Sequence, residues 1–265
     1  MCQIYTLRIY EYSLLTLIMI SKNKHELNPR VSADCVIFGF DLNQLKVLLI
    51  EREPVVGVDA TWALPGDLIF EDEHLDRAAE RVLKELTGLE NIYLEQVGAF
   101  GNPERLNRPN DQRWLKAVRK NPDERVITVG YFSLVNMNDY IPQASSFAKA
   151  AYWVPLDEIH ELAFDHLDIL HAAKAKLKDK IRLQPIGFNL LPEKFTLTEL
   201  HKLYEAILGR DLDKRNFRRK MLKLGIVESL DERQLGVPHK PSQYFRFNAS
   251  NFRQLTKQGY DNFGF

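Results

Sequence analysis

Residues 64–89 read LPGDLIFEDEHLDRAAERVLKELTGL, and this stretch decides the fold of the N-terminal part of the chain. A loop of Gly, Pro and acidic residues leads into residues 75–86, where apolar side chains recur at helical spacing. Gly88 follows, and glycine readily adopts the left-handed conformation that ends many helices. The stretch therefore predicts a loop, an amphipathic helix and a second loop.

Strand-like segments surround this helix. The sequences ADCVIFGFD and LKVLLIER flank a short polar turn, and their β-branched and apolar residues predict a β-hairpin. Further strands are predicted at 93–100 and 126–134, and helices within 156–180. Residues 102–124 are charged and contain three prolines, so they predict a loop insertion. Strands mixed with a few helices indicate an α+β domain.

The chain has 265 residues and 30.8 kDa, a length that favours two domains. The pattern divides it into an N-terminal arm (1–31), an α+β domain (32–180), a linker (181–191) and a second domain (192–265). Within the arm, SLLTLIMI at 13–20 is too short to span a bilayer and lacks a signal-peptide cleavage site. Residues 1–18 are interpreted as an upstream-start extension or a disordered arm.

The second domain begins with two helical patterns joined by a short turn. FTLTELHKLYEAIL at 195–208 has one apolar face, and DKRNFRRKMLKL at 213–224 has a narrow apolar stripe among basic residues. Two predicted strands, 226–229 and 243–247, then enclose a loop at 231–242. Helix, turn, basic helix and a β-wing together predict a winged helix-turn-helix that places its second helix in the major groove.

The candidate DNA-binding residues lie on the basic helix and in the wing loop. They are Lys214, Arg215, Asn216, Arg218, Arg219, Lys220, Lys223, His239 and Lys240. Lys and Arg provide the salt-dependent phosphate contacts, while Asn pairs with adenine and Arg with guanine. The alternative is a solvated basic face on an ordinary helical hairpin.

Charge and composition agree with a nucleic-acid module in the C-terminal part. The formal net charge is zero, but residues 192–265 carry 14 Lys and Arg against 9 Asp and Glu, and residues 1–191 carry 22 against 27. A 45% hydrophobic and 27% charged composition is typical of folded globular proteins. The two cysteines, Cys2 and Cys35, suit a reducing cytoplasm. The sequence has no P-loop, nucleophile elbow or CxxC motif.

Residues 64–89 resemble the Nudix box, in which glutamates one helical turn apart hold Mg²⁺ against a pyrophosphate. Gly66, Arg81 and Glu85 match the pattern, as do Leu83, Gly88 and Leu89. Val82 and Leu86 stand where the family has glutamates. The loop glutamate Glu73 lies one residue late, with Asp72 in its place, and Asp67 replaces a common second glycine. One remaining box glutamate is a poor magnesium site, so the box predicts no catalytic residue, no metal and no cofactor.

A pocket for a nucleoside diphosphate derivative can outlast the loss of catalysis. The candidate effector-binding residues are Arg52, Trp62, Gly66, Glu73, Arg81, Glu85 and Tyr131. Each has an ordinary structural alternative: a solubilising strand-end charge for Arg52, core packing for the two aromatics, and an internal ion pair for Arg81 with Glu85. Asp165, which precedes His166, is predicted to cap the long helix.

The degraded box followed by IGFNLLPEKFTLTELHKLYEAILGRDLDKRNFRRKMLKLGIVES resembles the bacterial Nudix-related transcriptional regulators of the NrtR type. The resemblance implies a Nudix-like α/β/α domain before the winged helix-turn-helix. It also implies a cytoplasmic homodimer that represses from a palindromic operator and binds no membrane. Its small-molecule effector is expected to be ADP-ribose, in control of NAD biosynthesis. Three alternatives stay open: an arabinose-type regulator, an active Nudix hydrolase and a protein-binding scaffold.

Overall fold

A computed structural model describes residues 26–58, 61–184, 186–236, 238 and 240–260. Several predicted features lie outside the described residues. They are most of the predicted arm, including its first eighteen residues and Cys2, then Pro185 of the predicted linker and His239 of the wing. The N-terminal elements are β1 (Leu27–Phe40), β2 (Leu45–Arg52), β3 (Trp62–Ala63), β4 (Gly66–Phe70), α1 (Leu75–Thr87), β5 (Glu95–Phe100), α2 (Pro109–Val118), β6 (Ile127–Leu134), β7 (Ala148–Pro155) and α3 (His166–Leu183). The C-terminal elements are β8 (Phe195–Thr196), α4 (Leu197–Leu208), α5 (Lys214–Leu224), β9 (Val227–Arg233), β10 (Gln243–Phe247) and α6 (Ala249–Lys257).

The predicted hairpin forms the centre of a mixed sheet. Strands follow the order β3-β2-β1-β6-β5, with β4 also paired to β1 and β7 to β2. The pairing of β1 with β6 is parallel, and β1 with β2 is antiparallel. Because β1 is central, it is buried on both faces and carries an unbroken apolar run, as buried strands do.

Alternation along β1 explains why helices cover both faces of the sheet. Cys35 and Ile37 point into a cluster with Ala79 and Leu83 of α1. Val36 and Phe38 point the other way, into the cluster that contains α3. Successive side chains of a strand face opposite sides, so one strand serves both cores. The expected α/β/α arrangement is confirmed.

The prediction of a loop insertion at 102–124 is wrong, because this stretch contains helix α2. Pro109 occupies the first turn, where its missing N–H costs nothing. Trp114 and Leu115 are buried in an apolar cluster, Asp111 is also buried, and most of the other helical residues lie toward solvent. A short helix with so few buried apolar residues is stabilised by tertiary packing, which a sequence pattern does not show.

The C-terminal elements form the predicted winged helix-turn-helix. Thr196 and Glu199 make a reciprocal capping box at the start of α4, and Asp213 caps α5 by accepting from the Asn216 N–H. Strand β10 pairs with both β9 and β8, which gives a three-stranded wing sheet. Phe217 of α5 is buried and packs its ring against Tyr204 of α4. Helix α6 was not predicted.

The two parts of the molecule are packed together. Helix α3 continues to Leu183, inside the segment predicted as a linker, and a 3-10 turn at Ile186–Leu190 follows with Phe188 and Leu190 buried. One continuous apolar cluster extends from β1 and β2 through Ile169 and Leu177 of α3 to α4. Within the described part of the chain, no helix combines the length and the apolarity that crossing a membrane requires.

Candidate functional site

A cavity of about 890 Å³ opens between the sheet and α2. Strands β1, β2 and β4 form its floor, and the 102–124 stretch forms one wall. Of the predicted effector residues, Arg52 and Gly66 line this cavity. Its other polar and aromatic lining includes Asp34, Arg105, Trp114 and Arg119. A large concave site with a few converging charged groups is the usual form of a small-molecule site.

Arg52 is almost fully buried at the end of β2, with 2% of its surface exposed. Its Nη2 donates to Asp111 at 3.0 Å, and its Nε donates to Thr61 at 2.8 Å. The guanidinium carbon lies 4.6 Å from the Trp114 ring centre and 4.9 Å from that of Phe164. The remaining nitrogen, Nη1, has no hydrogen-bond partner among the described residues. A buried donor without a partner is costly, so a ligand acceptor at this point would restore the hydrogen bond.

A network of buried charges joins the cavity to the start of α3. Arg105 donates to both carboxylate oxygens of Asp165, at 2.9 and 2.7 Å, and its Nη2 is 3.5 Å from Asp34. Asp34 also accepts from Thr128 at 2.5 Å. Bidentate Arg–carboxylate pairs fix geometry as well as charge. Asp165 lies at the N-cap position of α3, as predicted, but the predicted cap hydrogen bond is wrong. Its carboxylate accepts from Arg105 and makes no hydrogen bond to the backbone of the first turn.

His166 completes this network in its neutral form. Its Nδ1 accepts from the Leu64 N–H at 2.9 Å, so Nε2 carries the proton, 3.5 Å from Asp34. Burial lowers the pKa of His166, although Asp34 acts in the opposite direction. The role of His166 in the described fold is to hold the backbone before β4.

Gly66 and Asp67 form the edge of the cavity beside β1. A Cβ added at Gly66 would lie 1.6 Å from Asp34 Oδ1, so glycine is required by this close approach. Burial raises the pKa of the Asp67 carboxyl, while Arg119 and Arg81 act to lower it. Arg119 directly follows α2, and burial lowers its pKa while Asp67 raises it. No carboxylate of the described residues lies within ion-pair distance of Arg119.

The other predicted box residues form an ion-pair cluster outside the cavity lining. Arg81 donates to Glu73 at 2.8 Å through Nε and again through Nη2, and to Glu85 at 2.9 Å. Its guanidinium also lies 4.0 Å from the Phe70 ring centre. Burial acts to lower the pKa of Arg81, but both glutamates raise it, and the net direction is upward. This ion-pair cluster is the structural alternative to an effector-binding role for Arg81 and Glu85, and Glu73 is an additional partner.

The positions of the missing glutamates do not fit a magnesium ion. Val82 and Leu86 are fully buried and share an apolar cluster with Trp114 and Leu115 of α2. Glu85, which the box retains, is held by Arg81. Among the described residues, no three His, Cys, Asp or Glu side chains are grouped as metal ligands. A hard divalent cation needs several oxygen ligands, and the side chains at these positions do not provide them.

The two predicted aromatic residues lie away from the cavity. Trp62 is 37% exposed and packs edge-on against Tyr152 on the sheet. Tyr131 is buried beneath α1, where its hydroxyl donates to Asp76 at 2.8 Å. Burial and this hydrogen bond to Asp76 raise the pKa of Tyr131. Tyr131 takes the structural alternative of core packing, whereas Trp62 is exposed on the sheet, and neither lines the cavity.

Most of the basic side chains of α5 face solvent. Lys214, Arg215, Arg218, Arg219 and Lys223 are exposed, while Lys220 is partly buried, and burial lowers its pKa. Asn216 is exposed and accepts from Arg219 at 2.7 Å. In the wing, Lys240 is exposed, and His239 lies outside the described residues. Helix α5 thus presents a continuous basic face, and the Arg219 hydrogen bond fixes the orientation of the Asn216 amide.

Both halves of the chain match known protein families. Residues 28–173 match the NUDIX domain, and residues 187–247 match the NrtR DNA-binding winged helix domain. The two domains occur in this order in one chain. The chain belongs to the NrtR family.

Known relatives match this chain over most of its length. It is 36% identical to the "ADPR responsive transcriptional repressor NtrR" of Acinetobacter baylyi, over 85% of this chain and 84% of that protein. The crystal structure of Shewanella oneidensis NrtR with a 27mer DNA is similar with a TM-score of 0.63, at 27% identity, over 84% of this chain and 95% of that one. A MutT/nudix family protein of Enterococcus faecalis shares the fold, with a TM-score of 0.61 at 24% identity, over 89% and 93% of the two chains.

The cavity residues of the 102–124 stretch are not among the site residues that the sequence predicts. Arg105, Asp111, Trp114 and Arg119 lie in the stretch predicted as a loop. A signal for the helix was present, since Pro109 precedes Trp114 and Leu115, and proline is favoured at the first turn. Nothing in the sequence shows which side of the NrtR sheet that helix covers.

Proposed function

We propose that this NrtR protein is a transcriptional repressor that binds a palindromic operator as a homodimer and is released by ADP-ribose. The observation that carries this proposal is the joining of a basic winged helix to a Nudix domain whose cavity has free donors but no group of metal ligands among the described residues. Such a cavity is suited to binding without turnover. A regulator of this kind acts in the cytoplasm, where the operator lies.

The DNA side of the proposal rests on α5. Its capped N-terminus and its exposed Arg and Lys side chains suit entry into the major groove. The Shewanella relative was crystallised with DNA, which supports the same use of the winged helix here. Two copies would place two such helices on successive major grooves, about 34 Å apart.

The effector side rests on the cavity and on the Acinetobacter relative, whose name describes a response to ADPR. ADP-ribose offers a base, two sugars and a diphosphate, and the cavity offers aromatic rings, buried donors and the cation of Arg119. Arabinose is neutral and has no base, so the cation of Arg119 would have no counterpart in it. We therefore prefer ADP-ribose.

Hydrolysis of the effector is not part of the proposed function. Val82 and Leu86 provide no oxygen ligands, and catalysis of this type needs charge stabilisation at the pyrophosphate. With Mg²⁺ present, we expect turnover of ADP-ribose far below about 1 s⁻¹, the lower end of common enzyme rates. A faster rate that Glu85→Gln abolishes would contradict this and favour an active hydrolase.

The physical route from cavity to DNA is α3. Arg105 lines the cavity and holds Asp165 at one end of this helix, while Leu177 and Ile181 near its other end pack in the cluster that includes α4. A ligand that prefers one position of Arg105 would shift α3, and with it the spacing of the recognition helices in the dimer. A ligand can move this equilibrium only through such a preference.

Linkage provides the test. ADP-ribose must bind more weakly to the protein–operator complex than to free protein, by the same factor by which it weakens DNA binding. We would select the operator from a random duplex library and measure ADP-ribose affinity by calorimetry with and without it, with arabinose as the control sugar. Equal affinities in the two states would refute the sensor mechanism. Binding of arabinose alone would instead identify the sugar-responsive branch.

A further inference from the structure

We propose that the 102–124 stretch is the ligand-recognition element of the cavity, and that Arg119 at the end of α2 binds the diphosphate of a nucleoside diphosphate ligand. This inference rests on the proposed function, because it takes the cavity as the effector site. It places the anion-binding position on the cavity wall formed by 102–124 and not on the box helix α1.

The box helix is closed to a diphosphate by its own contacts. Arg81, the cation of the box motif on this helix, already contacts both Glu73 and Glu85 and stacks on Phe70. The neighbouring positions, Val82 and Leu86, are buried beneath Trp114 and its apolar neighbours. A ligand anion at this helix would have to displace two ion pairs and would meet apolar side chains.

Arg119 has the opposite character. It lines the cavity, is half-buried, and has neither a side-chain hydrogen bond nor an ion pair with any described residue. Lys120 and Asn121 follow it on the same wall and add a second cation and an amide donor. Phosphate oxygens are matched by the planar donor fork of an arginine.

Arg52 supplies the other end of the site. Its charge is already paired with Asp111, so its free Nη1 suits a neutral acceptor such as a ring nitrogen or a sugar hydroxyl. Trp114 and Phe164, the rings that flank Arg52, also line the cavity and bound the space beside this donor. Asp111 lies in the first turn of α2, and Arg119, eight residues later, directly follows the helix, so the length of the helix separates the two ends by roughly 12 Å. The cavity therefore presents a charge-paired donor beside aromatic rings at one end and, at the other, a cation with no ion-pair partner among the described residues, as a nucleoside diphosphate requires.

Acidic residues on the cavity lining bear on the same point. Asp67 and Asp34 both interact with Arg119 from beyond ion-pair distance, and the effect of Asp67 is the larger. Asp67 therefore opposes an anion that approaches Arg119. Removing its charge should strengthen anion binding, whereas removing the charge of Arg119 should weaken it. Opposite responses at neighbouring residues are not expected from general damage to the fold.

The experiment uses the full chain and calorimetry with four probes: ADP-ribose, ADP, inorganic pyrophosphate and adenosine. Arg119→Gln should weaken ADP and ADP-ribose binding by at least about tenfold, the range of a lost charged hydrogen bond, and leave adenosine unchanged. Arg119→Lys should restore part of the affinity, and Asp67→Asn should increase it. Lys116→Gln removes an exposed cation on the same helix outside the cavity lining and should have no effect. Thermal unfolding of each variant checks that the fold is retained.

The outcomes separate the two proposals. Wild-type affinity for ADP in Arg119→Gln, or an equal loss in Lys116→Gln, would overturn the assignment of Arg119 and leave the repressor function untouched. Binding of ADP or pyrophosphate without ADP-ribose would support the anion site and refute the proposed effector. Failure of all the anionic probes to bind the wild-type protein would overturn both.

Discussion

Restoring the missing box glutamates should destabilise the fold and should not create an enzyme. In Val82→Glu, the new carboxyl would enter a position that is fully buried among apolar side chains, including Trp114 and Leu115. The residues that pack with Val82 in this cluster are apolar, and the described residues contain no group of metal ligands that could receive the carboxyl. Leu86→Glu meets the same surroundings one helical turn later.

The magnitude follows from three contributions. Loss of the buried valine side chain costs about 1.5 kcal/mol, and burial of an unpaired carboxyl, even when protonated, costs about 1–3 kcal/mol more. The longer side chain adds about 1–3 kcal/mol of overpacking. We therefore expect Val82→Glu to lower the free energy of unfolding by about 4 kcal/mol or more, a large part of the 5–15 kcal/mol typical of a domain. At roughly 2–4 °C per kcal/mol, the Tm should fall by about 10 °C.

The assay is thermal and urea unfolding of the full chain, together with ADP-ribose hydrolysis in Mg²⁺. Lys84→Glu places a carboxylate on the exposed face of the same helix and serves as the matched control. It loses the exposed ion pair with Glu90, and because surface ion pairs contribute little to stability, its Tm should stay within about 4 °C of the wild type. The reasoning is refuted if Val82→Glu is as stable as this control. It is also refuted if the double variant Val82→Glu, Leu86→Glu folds and hydrolyses ADP-ribose at a rate typical of enzymes, because α2 would then not fill the metal position.

Three further predictions concern the edge of the cavity, pH and DNA. Gly66→Ala should lower the free energy of unfolding by about 1–3 kcal/mol, because the new Cβ collides with Asp34; an unchanged urea midpoint would contradict this. The folded pKa of His166 is lowered, so its contribution to stability is present above its unfolded pKa of about 6.5 and is lost as the pH falls below that value. Between pH 8 and pH 5, the free energy of unfolding of His166→Gln should decline less steeply toward acid pH than that of the wild type. Parallel profiles of the two proteins would refute the lowered pKa of His166. Arg218→Ala should weaken binding to every DNA sequence and reduce the slope of log affinity against log salt by about 1, whereas Asn216→Ala should relax base choice at one position by about 1–3 kcal/mol. Anisotropy titrations over a range of salt concentrations check both, and intact operator binding after Arg218→Ala and Arg219→Ala together would place the interface elsewhere.

The sequence by itself determined the elements with strong local signals. The hairpin, helix α1 ending at Gly88, the capped helices α4 and α5 and the wing strands were all predicted, because periodicity, caps and glycines act within a few residues. The family followed from the same signals, since a box and a basic helix in fixed order are local patterns. The basic face of α5 was also readable, because exposed charges need no partner elsewhere in the chain.

The tertiary structure alone decided which residues meet. Arg52 and Gly66 line the cavity, but Glu73, Arg81 and Glu85 satisfy one another, and Trp62 and Tyr131 pack elsewhere. Helix α2 was missed because its burial depends on partners far away in the sequence: Trp114 packs near Ile50, and Asp111 pairs with Arg52 across 59 residues. Pairing across such distances depends on how the sheet brings strands and loops together, and no local pattern encodes it. The sequence therefore determined what kind of protein this is, and the packing of α2 against the sheet decided where its ligand can bind.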